Sequence, residues 1–324
     1  MKYIGIDISK SSFVSAFRKG EGYTTTTYTN DPDGIAVFLA QLDQSLHHCI
    51  LEATGNYGAL LVEMLLESEI AVSVINPKQI KHFARVMQHT TKTDKIDAKL
   101  IALYGSKMEP KPYTIPSESI QALKQQKTLL SQLKKQLTMS YNLLESFSVL
   151  PKTDDISLTM LKSTIAYQED QIAVLEQKML SITEEAYQDL YKRISSIKGI
   201  GDRTAIELIV SIGGGSHFQS AKQFSKYVGL APVYEHSGSS IRKKGHINRH
   251  GNPGLRSLLY MASWSAIRFN KACKAFYERL KERGKPSKLA LIAVANKLIR
   301  QVFAIMRDNT FYVDGHLSKL KVNH

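Results

Sequence analysis

Four carboxylates and one serine are the residues of this chain whose types and spacing could do chemistry. Asp94 and Asp97 stand three apart in the stretch Lys92-Thr93-Asp94-Lys95-Ile96-Asp97-Ala98, where the pattern predicts the start of a helix. At that spacing both carboxylates project from one helix face. Such a pair can share a divalent cation. It can equally be a helix cap, with Asp94 as N-cap and Asp97 in the first turn, where backbone amides and the helix dipole favour negative charge. Asp7 closes the β-rich run Tyr3-Ile4-Gly5-Ile6-Asp7, and Glu52 closes Cys49-Ile50-Leu51-Glu52. Open α/β sheets place their chemistry at strand ends beside a crevice, although a turn acid and a helix-proximal cap would account for each acid singly. Ser237 lies in the loop Tyr234-Glu235-His236-Ser237-Gly238-Ser239-Ser240-Ile241-Arg242-Lys243-Lys244-Gly245. A serine in a glycine-containing loop is more often a turn residue than a nucleophile. The cations beside this one could neutralise a scissile phosphate.

The elements that must position these groups follow from local patterning. Tyr3 to Asp7, Phe13 to Phe17 and Tyr23 to Tyr28 read as three antiparallel strands joined by tight turns. A helix is predicted over Asp31 to Leu42, where Ile35, Phe38, Leu39 and Leu42 recur at helical spacing. A strand at Cys49 to Leu51, a helix from Tyr57 to Glu67 and a strand from Ala71 to Ile75 follow, and Asn76-Pro77 opens another helix. The order is βββ-α-β-α-β-α. Beyond Pro116 the composition shifts to Leu, Gln and Lys. Leu123, Leu130, Leu137 and Leu144 recur every seven residues, and after Pro151 the set Leu158, Leu161, Ile165, Ile172, Leu175, Met179 and Ile182 keeps a three-four spacing. Two long helices folding back as an antiparallel coiled-coil pair are expected, with Gln168 the polar residue on the seam.

The last third reads as mainly helical. Ile197-Lys198-Gly199-Ile200-Gly201 before Asp202-Arg203-Thr204-Ala205 predicts a helix-hairpin-helix turn, which either holds a phosphate on its amides or simply joins two packed helices. A helix over Phe218 to Tyr227 is broken by Gly229-Leu230-Ala231-Pro232. Closing helices from about Pro253 to Asn270 and Pro286 to Arg307 are expected to be apolar on one face, with Trp264 in the core and Tyr260 either in the core or stacking on a base. The fold class is α/β plus α, with domains at 1–115, 116–192 and 193–324.

Charge narrows the partners. The 324 residues carry a formal net charge of +14, which points to a polyanion, most often nucleic acid. Between Glu235 and Glu278 there is no acid, against eight Lys or Arg. A solvated face normally mixes its signs, so this stretch favours phosphate contact. Lys198, Arg203, Arg242, Lys243, Lys244, Arg249 and Arg256 are the candidate nucleic-acid contacts. Cys49 and Cys273 lie far apart inside apolar runs and read as buried thiols in a reducing cytoplasm, not as a disulfide or metal site. No membrane partner is expected: no segment reads as a bilayer span, and Asp7 interrupts what a signal peptide would keep apolar.

Longer words in the sequence carry a resemblance. Ile4-Gly5-Ile6-Asp7, Glu52-Ala53-Thr54-Gly55-Asn56-Tyr57, Val74-Ile75-Asn76-Pro77 and Lys92 to Ala98 resemble, in order, the N-terminal domain of the DEDD-type insertion-sequence transposases, a family that includes the Piv-type DNA invertases. Gly229-Leu230-Ala231-Pro232, Ser237-Gly238-Ser239-Ser240, Lys244-Gly245-His246-Ile247-Asn248, Gly251-Asn252 and Leu255-Arg256 are similar to its C-terminal domain. The resemblance implies a ribonuclease H-like, RuvC-type first domain in which Asp7, Glu52, Asp94 and Asp97 bind Mg²⁺. Paired ions of that kind stand roughly 4 Å apart and stabilise both the attacking and the leaving oxygen. It places the nucleophile at Ser237, with Ser239 and Ser240 close by, and implies a covalent phosphoserine–DNA intermediate. The nucleophile and the acids would come from different domains, some 140 residues apart. It also implies double-stranded donor and target DNA, a structured non-coding (bridge) RNA as guide, and a homo-oligomer, dimer or tetramer, on DNA. Three other readings are weaker. A RuvC-type junction nuclease would use water in place of Ser237. An actin-like ATPase, suggested by Gly5-Ile6-Asp7-Ile8-Ser9-Lys10, lacks a second phosphate loop. A DNA-binding scaffold would need none of the acids.

Overall fold

Alternation along the first strand decides how the N-terminal half is built. The computed structural model describes residues 1–53, 55–89, 91, 93–215, 218–233, 236–237, 241–242, 246–247 and 251–314, with backbone only at 233, 236–237, 241–242 and 246. It comprises two compact units, Met1–Ile115 and Pro116–His324.

In the first unit, β1 (Lys2–Ile8), β2 (Ser12–Lys19) and β3 (Gly22–Thr29) pair antiparallel in sequence. Then come α1 (Pro32–Leu39), β4 (His47–Glu52), α2 (Ala59–Glu67), β5 (Ala71–Ile75), α3 (Pro77–Val86) and α4 (Asp94–Met108). The sheet order is β3-β2-β1-β4-β5, with β4 parallel to both β1 and β5. Ile4, Ile6 and Ile8 face one side of the sheet and bury with Ile35 and Phe38 of α1 and Leu61 and Leu65 of α2. Ile50 and Ile75 face the other side, against Ile80 of α3 and Leu100, Ile101 and Tyr104 of α4. The sheet is thus covered on both faces, as parallel strands require. Asp31 and Asn76 cap α1 and α3 by accepting from Gly34 N and Lys78 N, each with a proline in the first helical turn.

Gly5 lets α4 lie directly on β1. A Cβ there would stand 2.0 Å from the Ala98 carbonyl oxygen and 2.2 Å from Ala102 N, both helix backbone. Neither atom can rotate away. Gly5→Ala should therefore destabilise the first unit by at least about 3 kcal/mol, the upper range of overpacking costs, seen in denaturant melts as an early transition. An unchanged melt would mean that α4 does not pack so closely.

The second unit begins with α5 (Glu118–Ser148) and α6 (Asp155–Ser195). They run antiparallel. Lys134 pairs with Glu176, and the Ser140 hydroxyl donates to Gln168 Oε1 at 3.1 Å, so the polar residue on the seam has a partner. After them come α7 (Asp202–Ser211), α8 (Ala221–Val228), the short strands β6 (Pro232–Val233), β7 (His236–Ser237), β8 (Ile241–Arg242) and β9 (His246–Ile247), then α9 (Pro253–Phe269), α10 (Lys271–Glu282) and α11 (Ser287–Asp308). Leu123 and Leu130 of α5 share one core with Leu208 and Ile209 of α7, Leu259 of α9 and Leu298 and Val302 of α11. Lys127 pairs with the buried carboxylate of Glu207, tying α5 to α7.

Three expectations for this half change. Helix α10 lies between the two predicted closing helices, and Asn270 joins it to α9 by accepting from Cys273 N. Trp264 is not in the core. It is 42% exposed, because α9 carries a second apolar stripe besides the buried one of Leu255, Leu259, Ala262 and Ala266. Among the described residues α11 is the one helix long and apolar enough to cross a membrane, whereas the sequence reading found no such segment. Eight of its residues, Ala290 through Ile305, are buried in the core of this unit. Both cysteines are free and buried. Burial pushes the Cys273 thiol up to about 12 and the Cys49 thiol well above the usual thiol range. Neither thiol should react with a disulfide reagent at neutral pH in the native protein, and both should react at once in denaturant. A rapidly titrating native thiol would contradict that burial.

Candidate active site

The four acids are brought to one end of one sheet face by strand register and helix direction. In the parallel pairing of β1 with β4, Ile6 lies opposite Leu51, so Asp7 and Glu52 follow at the same level on adjacent strands. Neighbouring strands are about 4.8 Å apart. Asp7 shares its face with Gly5, and Glu52 shares its face with Ile50, which is the face covered by α4. The helix runs against β1. A Cβ on Gly105 would meet Ile50 and Tyr3, while Ala98 and Ala102 sit over Gly5. From Gly5 to Asp7 is about 6.6 Å of strand, which is roughly four residues of helix. The turn carrying Asp94 and Asp97 is thereby delivered to the level of Asp7. Both acids extend the sheet-facing stripe of Ala98, Ile101 and Ala102 by one turn. Asp7, Glu52 and Asp97 are half-buried and Asp94 is exposed.

The open choice between cap and ligand for Asp94 changes form here. Thr93 is the N-cap, its hydroxyl accepting from Ile96 N at 3.3 Å, and Asp94 is the first helical residue. The cap is therefore made without a carboxylate. Among the described residues no three His, Cys, Asp or Glu side chains converge closely enough to hold a metal ion. The chemistry of the donor set is nonetheless uniform: four carboxylates suit a hard, oxygen-seeking divalent cation and no soft one.

A basic surface that the sequence reading passed over adjoins this end. Ile75 is level with Glu52, and α3 begins directly after it. Lys78, Lys81, His82 and Arg85 of α3 are exposed, while Phe83 packs edge-on against Tyr104 of α4. Its signal was present: from Ile70 to Thr93 the chain has no acid.

In the second unit, Ser237 lies in a small antiparallel ribbon. Ser237 pairs with Ile241 and His236 with Arg242, and nearer the base Pro232 pairs with Ile247 and Val233 with His246. The base is fixed. Gly229 ends α8 with φ of 82°, and a Cβ on Gly251 would stand 2.3 Å from Gly229 N. Asn252 N donates to the Tyr227 carbonyl at 3.1 Å, and Asn296 Nδ2 donates to the Leu230 carbonyl at 3.1 Å. Ser239, Ser240, Lys243, Lys244 and Arg249 lie outside the described residues.

The remaining basic candidates differ in what holds them. Lys198 Nζ is 3.4 Å from Asp314 Oδ2. Arg256 is half-buried and donates to the Val228 carbonyl at 3.3 Å, an anchor for the end of α8. Arg203 is exposed in the first turn of α7. That turn also contains exposed Asp202, which accepts from the Tyr191 hydroxyl at 2.8 Å. Burial and then the Asp202 carboxylate push the Tyr191 hydroxyl up to about 12, so it remains a donor. A carboxylate already at this helix start competes with any phosphate there.

Comparisons with known proteins meet this geometry at both ends. Residues 4–153 match a DEDD-type family profile described as "Transposase", and residues 191–278 match one described as "Transposase IS116/IS110/IS902 family". The first range includes all four acids and the second includes Ser237. A pilin gene-inverting protein of Moraxella bovis is 34% identical over 323 residues, covering 95% of this chain and 96% of that protein. The transposase of insertion sequence element IS1111A from Coxiella burnetii is 25% identical over 277 residues, covering 76% of this chain and 74% of that protein. The transposase of element IS1328 from Yersinia enterocolitica is 22% identical over 337 residues, covering 95% and 98%.

Proposed function

Because this chain belongs to the IS110/IS116-type DEDD transposases, among whose relatives are the pilin gene-inverting proteins, we propose that it recombines DNA at the ends of an insertion sequence through a covalent phosphoserine step. It is a DNA recombinase, an enzyme whose substrate is DNA. The observation that carries the finer reading is the register that sets Asp7 beside Glu52 under the start of α4. A sheet ordered β3-β2-β1-β4-β5 with a parallel second half supports a ribonuclease H-like, RuvC-type first domain. The antiparallel α5–α6 pair supports the coiled-coil arm at 116–192, and 193–324 then forms the transposase domain that carries the serine.

In this reading Asp7, Glu52, Asp94 and Asp97 hold Mg²⁺. When bound, the metal supplies positive charge at the phosphate and at the leaving oxygen. The hydroxyl oxygen of Ser237 attacks the phosphorus, the bond to one DNA oxygen breaks, and that oxygen leaves as a hydroxyl carrying the serine's proton. The phosphoserine ester keeps the bond energy of the phosphodiester. A DNA hydroxyl attacking the same phosphorus then restores Ser237 and joins the new strand, so no nucleotide cofactor is consumed. Exposed Arg203 and the basic ribbon around Arg242, with Lys243, Lys244 and Arg249, neutralise backbone phosphates. The partners are double-stranded donor and target DNA, a guide RNA that a net charge of +14 accommodates as readily as DNA, and further copies of the chain on that DNA, in the cytoplasm.

The test is strand exchange. Purified protein with its co-purified RNA, cognate element ends and Mg²⁺ should yield recombinant joints, and EDTA should abolish them. Cut strands that never rejoin would replace the recombinase with a nuclease.

A further inference from the structure

Among the described residues, Met261, Trp264 and Phe269 on the second apolar stripe of α9 are exposed and belong to no buried core. Met261, Trp264, Ser265, Arg268 and Phe269 follow the spacing of one helix face and line a shallow groove of about 400 Å³. Met261 is 62%, Trp264 42% and Phe269 63% exposed, while the opposite stripe is buried. The helix beneath is held firmly. A Cβ on Gly199 would stand 2.7 Å from Ala266 Cα, so the α6–α7 turn sits directly on the backbone of α9. Asn270, at the end of α9, donates to the Lys198 carbonyl at 3.4 Å, and there the Lys198 ammonium is paired with Asp314, which leaves Arg268 as the cation of the stripe itself.

We propose that this face is a stacking platform for an unpaired base of a single-stranded segment in the nucleic acid the enzyme handles. Charge favours that occupant. The stripe lies within the run from Glu235 to Glu278 that has no acid, Arg268 stands one turn from Trp264, and no described acidic side chain pairs with Arg268. An aromatic face with a guanidinium beside it takes any base, because every base has a π-face. Area disfavours a second copy: a stable dimer buries about 800 Å² on each partner, more than five residues on one helix offer. The proposal rests on the chain acting on nucleic acid but not on the serine step.

Trp264 is the only tryptophan in the chain, so its fluorescence reports this site alone. The full-length protein would be titrated with a short oligothymidylate, with an abasic oligonucleotide of equal length and charge, and with a duplex. Quenching is expected with the oligothymidylate and not with the abasic strand or the duplex. Trp264→Leu should weaken oligothymidylate binding by roughly 5- to 100-fold, the range of one aromatic–base stack, while Trp264→Phe stays within about threefold. Binding read by anisotropy of a labelled strand covers both variants. Oligothymidylate that binds without quenching, or equally well to Trp264→Leu, overturns the platform and leaves the recombinase reading intact. Emission that changes with protein concentration alone would assign the face to a second copy and overturn it too. Failure to bind any nucleic acid would overturn the platform and the proposed function together.

Discussion

Asp7→Asn is expected to lower DNA strand cleavage by about a hundred- to a thousandfold while leaving the protein folded, a loss on the scale of removing one group from a charge-stabilising set. Asparagine keeps the shape of the side chain and an acceptor oxygen, so the packing of α4 over Gly5 is not disturbed. What it removes is a negative charge at the level where β1, β4 and the start of α4 meet. A cation held by four carboxylates loses both affinity and correct placement when one becomes an amide. Glu52→Gln should behave in the same way. Asp33→Asn makes the control: it changes an exposed acid in the first turn of α1, on the far face of the sheet, and should leave cleavage within about twofold. Cleavage rates on cognate DNA with parallel thermal melts check both statements. If Asp7→Asn cleaved at the wild-type rate, the acids would have to be structural.

Ser237→Ala has the second large effect. It should abolish covalent capture of DNA and recombination, with DNA affinity retained within about threefold, because one hydroxyl adds little to a surface of many phosphate contacts. Single alanines at Ser239 and Ser240 should keep the adduct. The pairing of Ser237 with Ile241 places it in the ribbon itself, with a base held by Gly229, Gly251 and Asn296. If Ser240→Ala or Ser239→Ala lost the adduct and Ser237→Ala kept it, the nucleophile would move to that position with the same chemistry. Gel mobility after denaturation separates these outcomes.

The elements of the first unit were legible because their signals are local and strong. Ile4, Ile6 and Ile8 alternate with Gly5 and Asp7, and a parity of two assigns each side chain to a face before any coordinates are known. Asn76-Pro77 and Asp31-Pro32 carry helix starts in two residues each. The cap of α4 stays open in the sequence because threonine and aspartate compete for the same position one residue apart. Thr93 wins it, which leaves Asp94 inside the helix. The closing helices were harder. A stripe of Met261, Trp264 and Phe269 has the spacing of a buried face, and only its neighbours show that Leu255, Leu259 and Ala266 are the ones that go inside. Helix α10 was legible in principle, because Cys273, Phe276, Tyr277 and Leu280 keep helical spacing, but the many charges between them and the single residue Asn270 separating it from α9 obscure it as an element of its own. The basic face of α3 was passed over for a different reason. The acid-free run from Ile70 to Thr93 is its signal in the sequence, but only the level pairing of Ile75 with Glu52 shows that α3 starts at the end of the sheet where the acids lie. The pairing of Asp7 with Glu52 likewise depends on a register across 45 residues of chain, which no local pattern encodes.

The claim at the centre is that the acids of the first unit and a serine of the second act on one phosphodiester. Trapping the reaction of the full-length protein on cognate DNA with Mg²⁺, digesting both polymers and mapping the remaining nucleotide by mass spectrometry tests it most directly. The expected result is a phosphodiester-linked nucleotide on Ser237 in the wild type, absent without divalent metal and absent in Asp7→Asn. DNA cut to free phosphate and hydroxyl ends, with no nucleotide on any serine of the chain, would contradict it.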